Sequence, residues 1–386
     1  MKVLAVTGIR SEYDILYPVL DELRKSKFDV SIFVSGAHLS NEHGDTYKQI
    51  LSDDFEIADY SDTYLSTDRL TQRPKGISMI ISGLCQTVDR IKPDFLLVVG
   101  DREESISVAI VGNYMDILVV HLGGGDPVFG NTDDPIRFAV SKLSHVHCCF
   151  SQEYKKNLIN IGEESFRIFN TGNPSYVNIS KVPNLSVDKL SKDLKIEFNN
   201  RPYIVMIKHP LSSELGEVLE QIETTLEAVC EFCETYDFHV VIIPPNTDPG
   251  SNNIRNIISK FSSLSRVHSL NTIPRKQFVN LIRGASALIG NSSMGILEAP
   301  FYKLPVVNVG NRQLGRLNAG NVEFTPYDKK IIVKALKKAC LDKKYRRKVE
   351  TLINPFGDES SAINIRKAME SIAPNDKKWL TKKRLC

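Results

Sequence analysis

The chain has 386 residues, with 49 lysines and arginines against 46 aspartates and glutamates, a formal charge of +3. That length exceeds one ordinary domain and suits two of moderate size, each burying its own core. The near-balanced charge excludes a global field aimed at nucleic acid, and no apolar run is long enough to span a bilayer, so a local site must carry the function.

The first residues, Met1 to Gly8, form a short apolar run that breaks at Gly8 and is followed by charge, unlike a secretory signal. A cytoplasmic protein is expected. Seven cysteines without a repeated pairing pattern fit reduced thiols. From there the sequence predicts strands at Lys2 to Thr7, Asp29 to Val34, Phe95 to Val99, Leu118 to His121 and Val146 to Phe150. Amphipathic helices are predicted between them, near Tyr13 to Lys25, Ile77 to Ile91, Glu103 to Tyr114, Ile136 to Ser144 and Gln152 to Ile161. This alternation is that of parallel βαβ units. The run His145-Val146-His147-Cys148-Cys149 reads as a buried strand rather than a metal site, because its ligand-type side chains alternate between faces.

After Thr171-Gly172-Asn173-Pro174 the chain turns polar, and residues 173–200 read as a linker between a first domain, 1–172, and a second, 201–360. The second series predicts strands at Tyr203 to Ile207, His239 to Ile243, Ala287 to Ile289 and Val306 to Val309. Its helices are predicted at Glu214 to Tyr236, Asn252 to Phe261 and Arg275 to Arg283. Cys230 and Cys233 fall inside the first of these and read as core packing, with no second pair at zinc spacing. Residues 361–386 give a last helix, predicted over Ser360 to Ser371, and a basic tail, Lys377 to Arg384, read as loosely ordered surface. The fold class is therefore α/β, two doubly wound Rossmann-like domains whose strand carboxyl ends would face an interdomain cleft.

The unusual residues gather at those predicted strand ends. Leu288-Ile289 runs into Gly290-Asn291-Ser292-Ser293, a tight loop whose hydroxyls and helix-start N–H groups suit a phosphate. Glu298, inside the helix predicted to follow, would accept hydrogen bonds from ribose hydroxyls. The plainer alternative is a Ser292 helix cap and a solvated Glu298. Arg10 follows the first strand, where a guanidinium would fork onto phosphate oxygens, and an isolated arginine there is as well a surface charge. His209 would donate to the same phosphate or to a leaving oxygen, or be structural before Pro210. Arg312 and Arg316 add two cations on the loop after Val309. Asp101, Asp126, Asp133 and Asp134 end neighbouring elements of the first domain, where clustered acids divide into a base and an acid. Asp133 and Asp134 serve equally as caps of the helix that follows, and no compact motif fixes a divalent metal on these aspartates. Gly123 to Gly125 lacks the G-x-G-x-x-G spacing of a dinucleotide turn, and no Walker lysine follows a glycine loop.

With these residues in hand, the chain resembles the hydrolysing UDP-N-acetylglucosamine 2-epimerase family of the sialic and legionaminic acid pathways, over nearly its whole length. The motifs run in one order: Thr7-Gly8-Ile9-Arg10-Ser11-Glu12-Tyr13, Gly36-Ala37-His38-Leu39, Gly100-Asp101-Arg102, His121, Asp133-Asp134-Pro135-Ile136-Arg137, Gly172-Asn173-Pro174, His209-Pro210, Pro245-Asn246-Thr247-Asp248-Pro249-Gly250-Ser251, Gly290-Asn291-Ser292-Ser293 and Arg312-Gln313-Leu314-Gly315-Arg316. The resemblance implies a GT-B-like fold whose final helix crosses back onto the first domain, a homodimer, and a reaction without NAD or metal. A base would remove the proton on C2 of a UDP-sugar while UDP leaves from C1; water would then add to the glycal, releasing N-acetylmannosamine. It implies that Arg10, His209, Ser292 and Ser293 hold the pyrophosphate, with Asn246, Arg312 and Arg316 also on the nucleotide and Glu298 on the ribose. Asp101, Asp126 and Asp133 would be catalytic carboxylates, with His121 close by and His209 at the leaving group. The chain departs from the family at Gly123, where an acid is common, and at Phe138, where a histidine is. A sugar carrying 2,4-diacetamido and 6-deoxy groups would suit the more apolar pocket these departures make. Two other readings stay open: a GT-B glycosyltransferase, which would need an acceptor to release UDP, and a nucleotide-sugar sensor that binds without turnover.

Overall fold

The computed structural model describes residues 1–65, 67, 69–128, 132–245, 247–270 and 273–382. They form two compact units. The first comprises Met1–Pro127, Thr132–Asn178 and the segment from Phe356 onward, and the second takes Ile179–Pro355 together with Val128.

The first unit carries seven strands: β1 (Lys2–Thr7), β2 (Asp29–Ser35), β3 (Glu56–Ser61), β4 (Phe95–Val99), β5 (Leu118–Leu122), β6 (Val146–Cys149) and β7 (Ile168–Asn170). Its helices are α1 (Arg10–Arg24), α2 (Tyr47–Ser52), α3 (Gln72–Ile91), α4 (Glu103–Tyr114), α5 (Asp133–Leu143) and α6 (Gln152–Asn160). Helix α7 (Ser175–Lys181) leads out of it. The second unit holds α8 (Val187–Leu194), β8 (Tyr203–Ile207), α9 (Val218–Tyr236), β9 (His239–Ile243), α10 (Ser251–Phe261), β10 (Val267–Ser269) and α11 (Arg275–Gly284). It continues with β11 (Leu288–Gly290), α12 (Met294–Leu297), β12 (Val306–Val309), β13 (Val322–Thr325), α13 (Lys329–Leu341) and α14 (Lys343–Glu350). The chain then adds α15 (Ser361–Glu370) and α16 (Lys377–Leu380) to the first unit.

Both sheets are parallel throughout, in the orders β3-β2-β1-β4-β5-β6-β7 and β10-β9-β8-β11-β12-β13. Each is doubly wound, and its order reverses between β1 and β4 and between β8 and β11, the switch points at which such sheets take ligands. The central strands are apolar because helices cover both faces. In β8, Ile204 and Met206 join one core with α9 and α13, while Tyr203, Val205 and Ile207 join the opposite core with α8 and α11.

Four strands escape the sequence reading, β3, β7, β10 and β13, and all lie toward sheet edges. Edge strands are short and half exposed, so Glu56–Ser61 shows no apolar run. Helices α13 and α14 also went unread, although Ile332, Ala335, Leu336 and Ala339 repeat at helical spacing behind the Asp328 cap. Residues 173–200 are not a bare linker. Ser186 caps α8 by accepting from the Lys189 N–H, and Leu190 and Leu194 are buried one turn apart. The basic tail is not loose surface either, as far as Lys382: Trp379 is buried against Phe166, and Lys382 is tied into the first unit. No helix among the described residues is long and apolar enough to cross a membrane.

The tail is held from two sides. The fully buried Arg167 guanidinium donates to the carbonyls of Trp379 (2.5 Å), Lys378 (2.8 Å) and Thr381 (2.6 Å). Lys382 Nζ donates to the carbonyls of Ser141 (3.2 Å), Lys142 (2.7 Å) and Ser144 (2.6 Å), the acceptors that the C-terminus of α5 leaves unpaired. The same ammonium pairs with Glu163 at 2.7 Å, and Glu163 also holds Lys142 and His147. Burial works against the Glu163 carboxylate, but His147, Lys382 and Lys142 hold it down to about 2.

Of the three wholly buried imidazoles among the described residues of the first unit, two are His38 and His121, the third being His147 on Glu163. His38 lies between the hydroxyls of Thr7 (3.0 Å) and Thr46 (2.7 Å), and His121 between the Gly100 carbonyl (2.7 Å) and Ser141 Oγ (3.2 Å). Burial drops each from 6.5 to about 3. A depressed pKa stabilises the fold fully above 6.5, and that stabilisation is lost as pH falls from 6.5 toward 3. Unfolding between pH 6 and 4 should therefore take up these two protons, each adding about 1.4 kcal/mol per pH unit to the slope. NMR titration of the folded protein should find both rings neutral at pH 5, and a protonated ring there would refute the assignment.

Candidate active site

In the second unit the site grows from the switch point. β11 ends on Gly290, whose φ is +133°, and a Cβ there would stand 1.9 Å from the Ile207 carbonyl oxygen of β8. Only glycine fits, and the chain passes close over β8 as it turns. Asn291 then joins the two strand ends. Its Oδ1 accepts from the His209 N–H at 2.7 Å and its Nδ2 donates to the His209 carbonyl at 2.8 Å. Its own carbonyl accepts from Arg312 Nη1 (3.1 Å) and Gln313 Nε2 (2.9 Å). One asparagine thus fixes the loops after β8, β11 and β12, and brings His209, Ser292, Ser293 and Arg312 to one place.

Other expected nucleotide residues sit differently. Arg316 is buried on the same loop and donates to Gln313 Oε1. The helix expected to contain Glu298 is one turn long, Met294–Leu297, with Glu298 as its C-cap. Pro300 lacks the N–H that a further turn requires, so Glu298 leaves the helix half-buried. One turn of peptide dipoles is a weak anion site, and the Ser292 and Ser293 hydroxyls and loop N–H groups become the main donors. Ser292 Oγ also caps the turn, accepting from the Met294 N–H at 3.3 Å. Asn246 lies outside the described residues.

In the first unit, Arg10 opens α1, its Nε 3.4 Å from the Asp14 carboxylate. Asp101 follows β4 and Asp126 follows β5, and Arg137 of α5 draws them together. Its Nη2 pairs with Asp101, while its Nη1 meets the Asp126 carboxylate at 2.9 Å and the Asp126 carbonyl at 2.7 Å. Burial opposes the guanidinium charge, yet Asp101 and Asp126 hold Arg137 above its ordinary range. The expected cluster of mutually repelling acids is therefore corrected to two carboxylates sharing one cation. Asp133 belongs to a separate group: Arg73 Nη1 pairs with it at 2.9 Å and Arg73 Nε with Glu103 at 2.5 Å. His121 has both ring nitrogens engaged inside the protein. A carbonyl only accepts, so Nε2 carries the proton toward Gly100, while Nδ1 faces the Ser141 hydroxyl, whose single proton also has the Arg137 carbonyl at 3.0 Å as an acceptor. The imidazole steadies the Gly100–Asp101 turn.

Sequence reasoning missed a second acid pair, Glu12 and Glu104. Both are buried; Glu12 accepts from the Gly8 N–H at 3.0 Å and Glu104 from Ser35 Oγ at 3.0 Å. Burial raises both, and each is raised further by a neighbouring acid, Glu104 for Glu12 and Glu103 for Glu104. Acids raised by burial and by one another's charge are what was expected of Asp101 and its neighbours. Its signal, an acid four residues after Gly8 facing one three residues after Asp101, is visible only once β1 and β4 are known to pair.

The departure at Gly123 has a physical counterpart. Its φ is +79°, and a Cβ there would lie 3.1 Å from the ring of Phe150, which follows β6 and is buried. An aromatic ring stands where a longer side chain would begin.

The model of the UDP-N-acetylglucosamine 2-epimerase family matches residues 21–370. The polysialic acid biosynthesis protein P7 of Escherichia coli is 31% identical over 366 residues, covering 94% of this chain and 92% of that protein. The GDP/UDP-N,N'-diacetylbacillosamine 2-epimerase (hydrolyzing) of Campylobacter jejuni is 32% identical over 324 residues, 83% of each chain. In fold, the chain is similar to the crystal structure of UDP-GlcNAc 2-epimerase from Neisseria meningitidis bound to UDP-GlcNAc, with a TM-score of 0.81, 23% identity and coverage of 96% and 100%.

Proposed function

Because the chain belongs to the UDP-N-acetylglucosamine 2-epimerase family, we propose that it is a hydrolysing epimerase that converts UDP-N-acetylglucosamine to N-acetylmannosamine and UDP. The second unit takes the nucleotide and the first carries the sugar chemistry. A carboxylate of the Asp101–Arg137–Asp126 group removes the C2 proton, and Asp101 is the base of choice. The electron pair left on C2 forms the C1–C2 double bond as the C1–O bond to the diphosphate breaks. Water then adds its oxygen to C1, and a proton returns to C2 on the opposite face, giving the 2-epimer. His209, Ser292 and Ser293 receive the negative charge on the departing diphosphate, with Arg10 as a further cation and Glu298 on the ribose.

The observation that carries this reading is Arg137. A C2 proton is weakly acidic, so its base must be held rigidly, and one buried guanidinium fixes Asp101 against Asp126 without bringing two acids into repulsion. Asp133, held by Arg73, is the second candidate for proton delivery. A cytoplasmic homodimer is part of the proposal and is testable by sedimentation.

A second substrate is favoured by one observation. The Phe150 ring beside Gly123 and the aromatic Phe138 on α5 suit a sugar whose C6 is a methyl group, so the same elimination on UDP-2,4-diacetamido-2,4,6-trideoxyglucose is the alternative.

Proton and phosphorus NMR in deuterated water tests the reading. Free UDP and N-acetylmannosamine deuterated at C2 are expected, or the corresponding products from the diacetamido substrate. Both nucleotides staying intact without an acceptor would overturn it in favour of a transferase or sensor. Glu298→Ala should weaken UDP binding by about tenfold through lost ribose hydrogen bonds. Unchanged affinity by calorimetry would remove Glu298 from the nucleotide site.

A further inference from the structure

Lys208 is the residue after β8, and it points to the α9 and α13 side of the sheet, where a lysine is out of place. The strand alternates Ile204 and Met206 onto that core, and the next residue of the same parity is a charged one. Only 2% of its surface is exposed. Its ammonium donates to the Tyr327 hydroxyl at 3.0 Å and lies 4.5 Å from the centre of that ring. Among the described residues no carboxylate comes within ion-pair distance of it. Glu214 is the acid that acts on it, but Glu214 is occupied by the amides of Asn311 (2.8 Å) and Gln221 (2.7 Å).

The charged and titratable groups around this amine come from every packed segment. They are Glu214 and Glu217 ahead of α9, Arg312 on the loop after β12, Tyr327 ahead of α13, and His209 beside it. The Tyr327 hydroxyl is pressed against the end of β12, where a Cβ on Gly310 would stand 2.2 Å from it. Arg312 reaches the Asn291 carbonyl, and Asn291 grips the backbone of His209, so the amine sits behind the Ser292–Ser293 loop at the switch point. A buried ammonium held by a phenol, with Glu214 engaged by two amides and Arg312 opposing its charge, is an arrangement that an anion completes.

We propose that Lys208 is a further nucleotide-binding residue, whose ammonium takes the diphosphate alongside His209 and the Ser292–Ser293 loop and becomes charged as the nucleotide binds. The inference rests on the reading of the second unit as the nucleotide site. Burial pulls the Lys208 amine down to about 7, so above neutral pH the empty site is spared a buried charge. A diphosphate moving in favours the protonated form, and the proton comes from solvent. When the C1–O bond breaks, the diphosphate gains negative charge beside a cation that has just been formed.

The test is calorimetric titration of UDP into the full-length protein at pH 8, in two buffers of different ionisation enthalpy. The wild-type protein should take up a proton on binding UDP, seen as a buffer-dependent heat. Lys208→Met should lose that uptake and bind UDP about tenfold or more weakly. Lys208→Arg, which is always charged, should keep most of the affinity while losing the uptake. Tyr327→Phe leaves the amine in place and should retain uptake. Melting curves establish that each variant folds. Lys208→Met binding UDP as tightly as wild type, with the same proton count, overturns the inference alone. No binding of UDP by the wild-type protein overturns the nucleotide reading beneath it.

Discussion

Asp101→Asn is expected to reduce UDP release from the nucleotide sugar by about 10²- to 10⁴-fold, the range that a positioned general base supplies. The substitution keeps the shape of the side chain and removes the acceptor of the C2 proton. It should not unfold the first unit, because Arg137 keeps the Asp126 carboxylate at 2.9 Å and the Asp126 carbonyl at 2.7 Å. UDP affinity should be unchanged, since of the proposed nucleotide residues His209, Ser292, Ser293 and Glu298 belong to the second unit and Arg10 pairs with Asp14 rather than with Asp101. Steady-state turnover read beside UDP calorimetry separates the two effects. Wild-type turnover in the variant would take Asp101 out of the mechanism. A parallel loss of melting temperature and UDP affinity would mark it as a structural partner of Arg137 instead.

The largest effect on stability is expected at Arg167. Its guanidinium is fully buried and spends its donors on four carbonyls, those of His145, Lys378, Trp379 and Thr381, and on the Glu164 carboxylate at 2.9 Å. Its planar group also lies 4.8 Å from the centre of the Phe166 ring. Arg167→Ala leaves these acceptors unpaired in a site too enclosed for easy hydration, which costs about 3 kcal/mol or more. The damage should be directional. The tail from Asp376 onward loses its anchor first, followed by Trp379 and the Lys382 bonds to α5. Limited proteolysis should clip the variant near α16 while the wild-type protein resists, and the melting temperature should fall by several degrees. An equally resistant tail and an unshifted melt would show that Trp379 packing alone holds the segment.

Much of this architecture was legible in the chain because parallel, doubly covered strands are continuous apolar runs. Phe95–Val99, Tyr203–Ile207 and His239–Ile243 have the bounds expected of them, and the Gly290-Asn291-Ser292-Ser293 turn was readable from its glycine and hydroxyls. What the sequence hides is pairing across long separations. Arg137 reads as one more surface arginine until β4, β5 and α5 are placed side by side; only then does it join Asp101, 36 positions back, to Asp126, 11 back. Asn291 lies inside a motif that draws attention to its serines, yet it is the side chain that organises the loops. The burial of Lys208 and of the Lys377–Lys382 stretch is hidden for the opposite reason. Positive charge is normally a solvated surface signal, and nothing local reveals that Tyr327 or Glu163 waits for the ammonium. Glu298 shows a third kind of failure, since the helical pattern continues past Leu297 and Pro300 ends it.

The order of synthesis gives the C-terminal clasp a further meaning. The second unit is essentially continuous, Ile179–Pro355, and is free to fold as soon as it leaves the ribosome. The first unit is begun earlier but completed later. Its α5 helix, which carries Arg137, has the carbonyls of its last turn unanswered until Lys382 emerges, more than two hundred residues downstream. The nascent first unit therefore waits, with its Asp101–Arg137–Asp126 group on a helix not yet closed, while the unit encoded after it matures. Premature termination a few codons before Lys382 would spare the later-encoded unit and strike the one translated first.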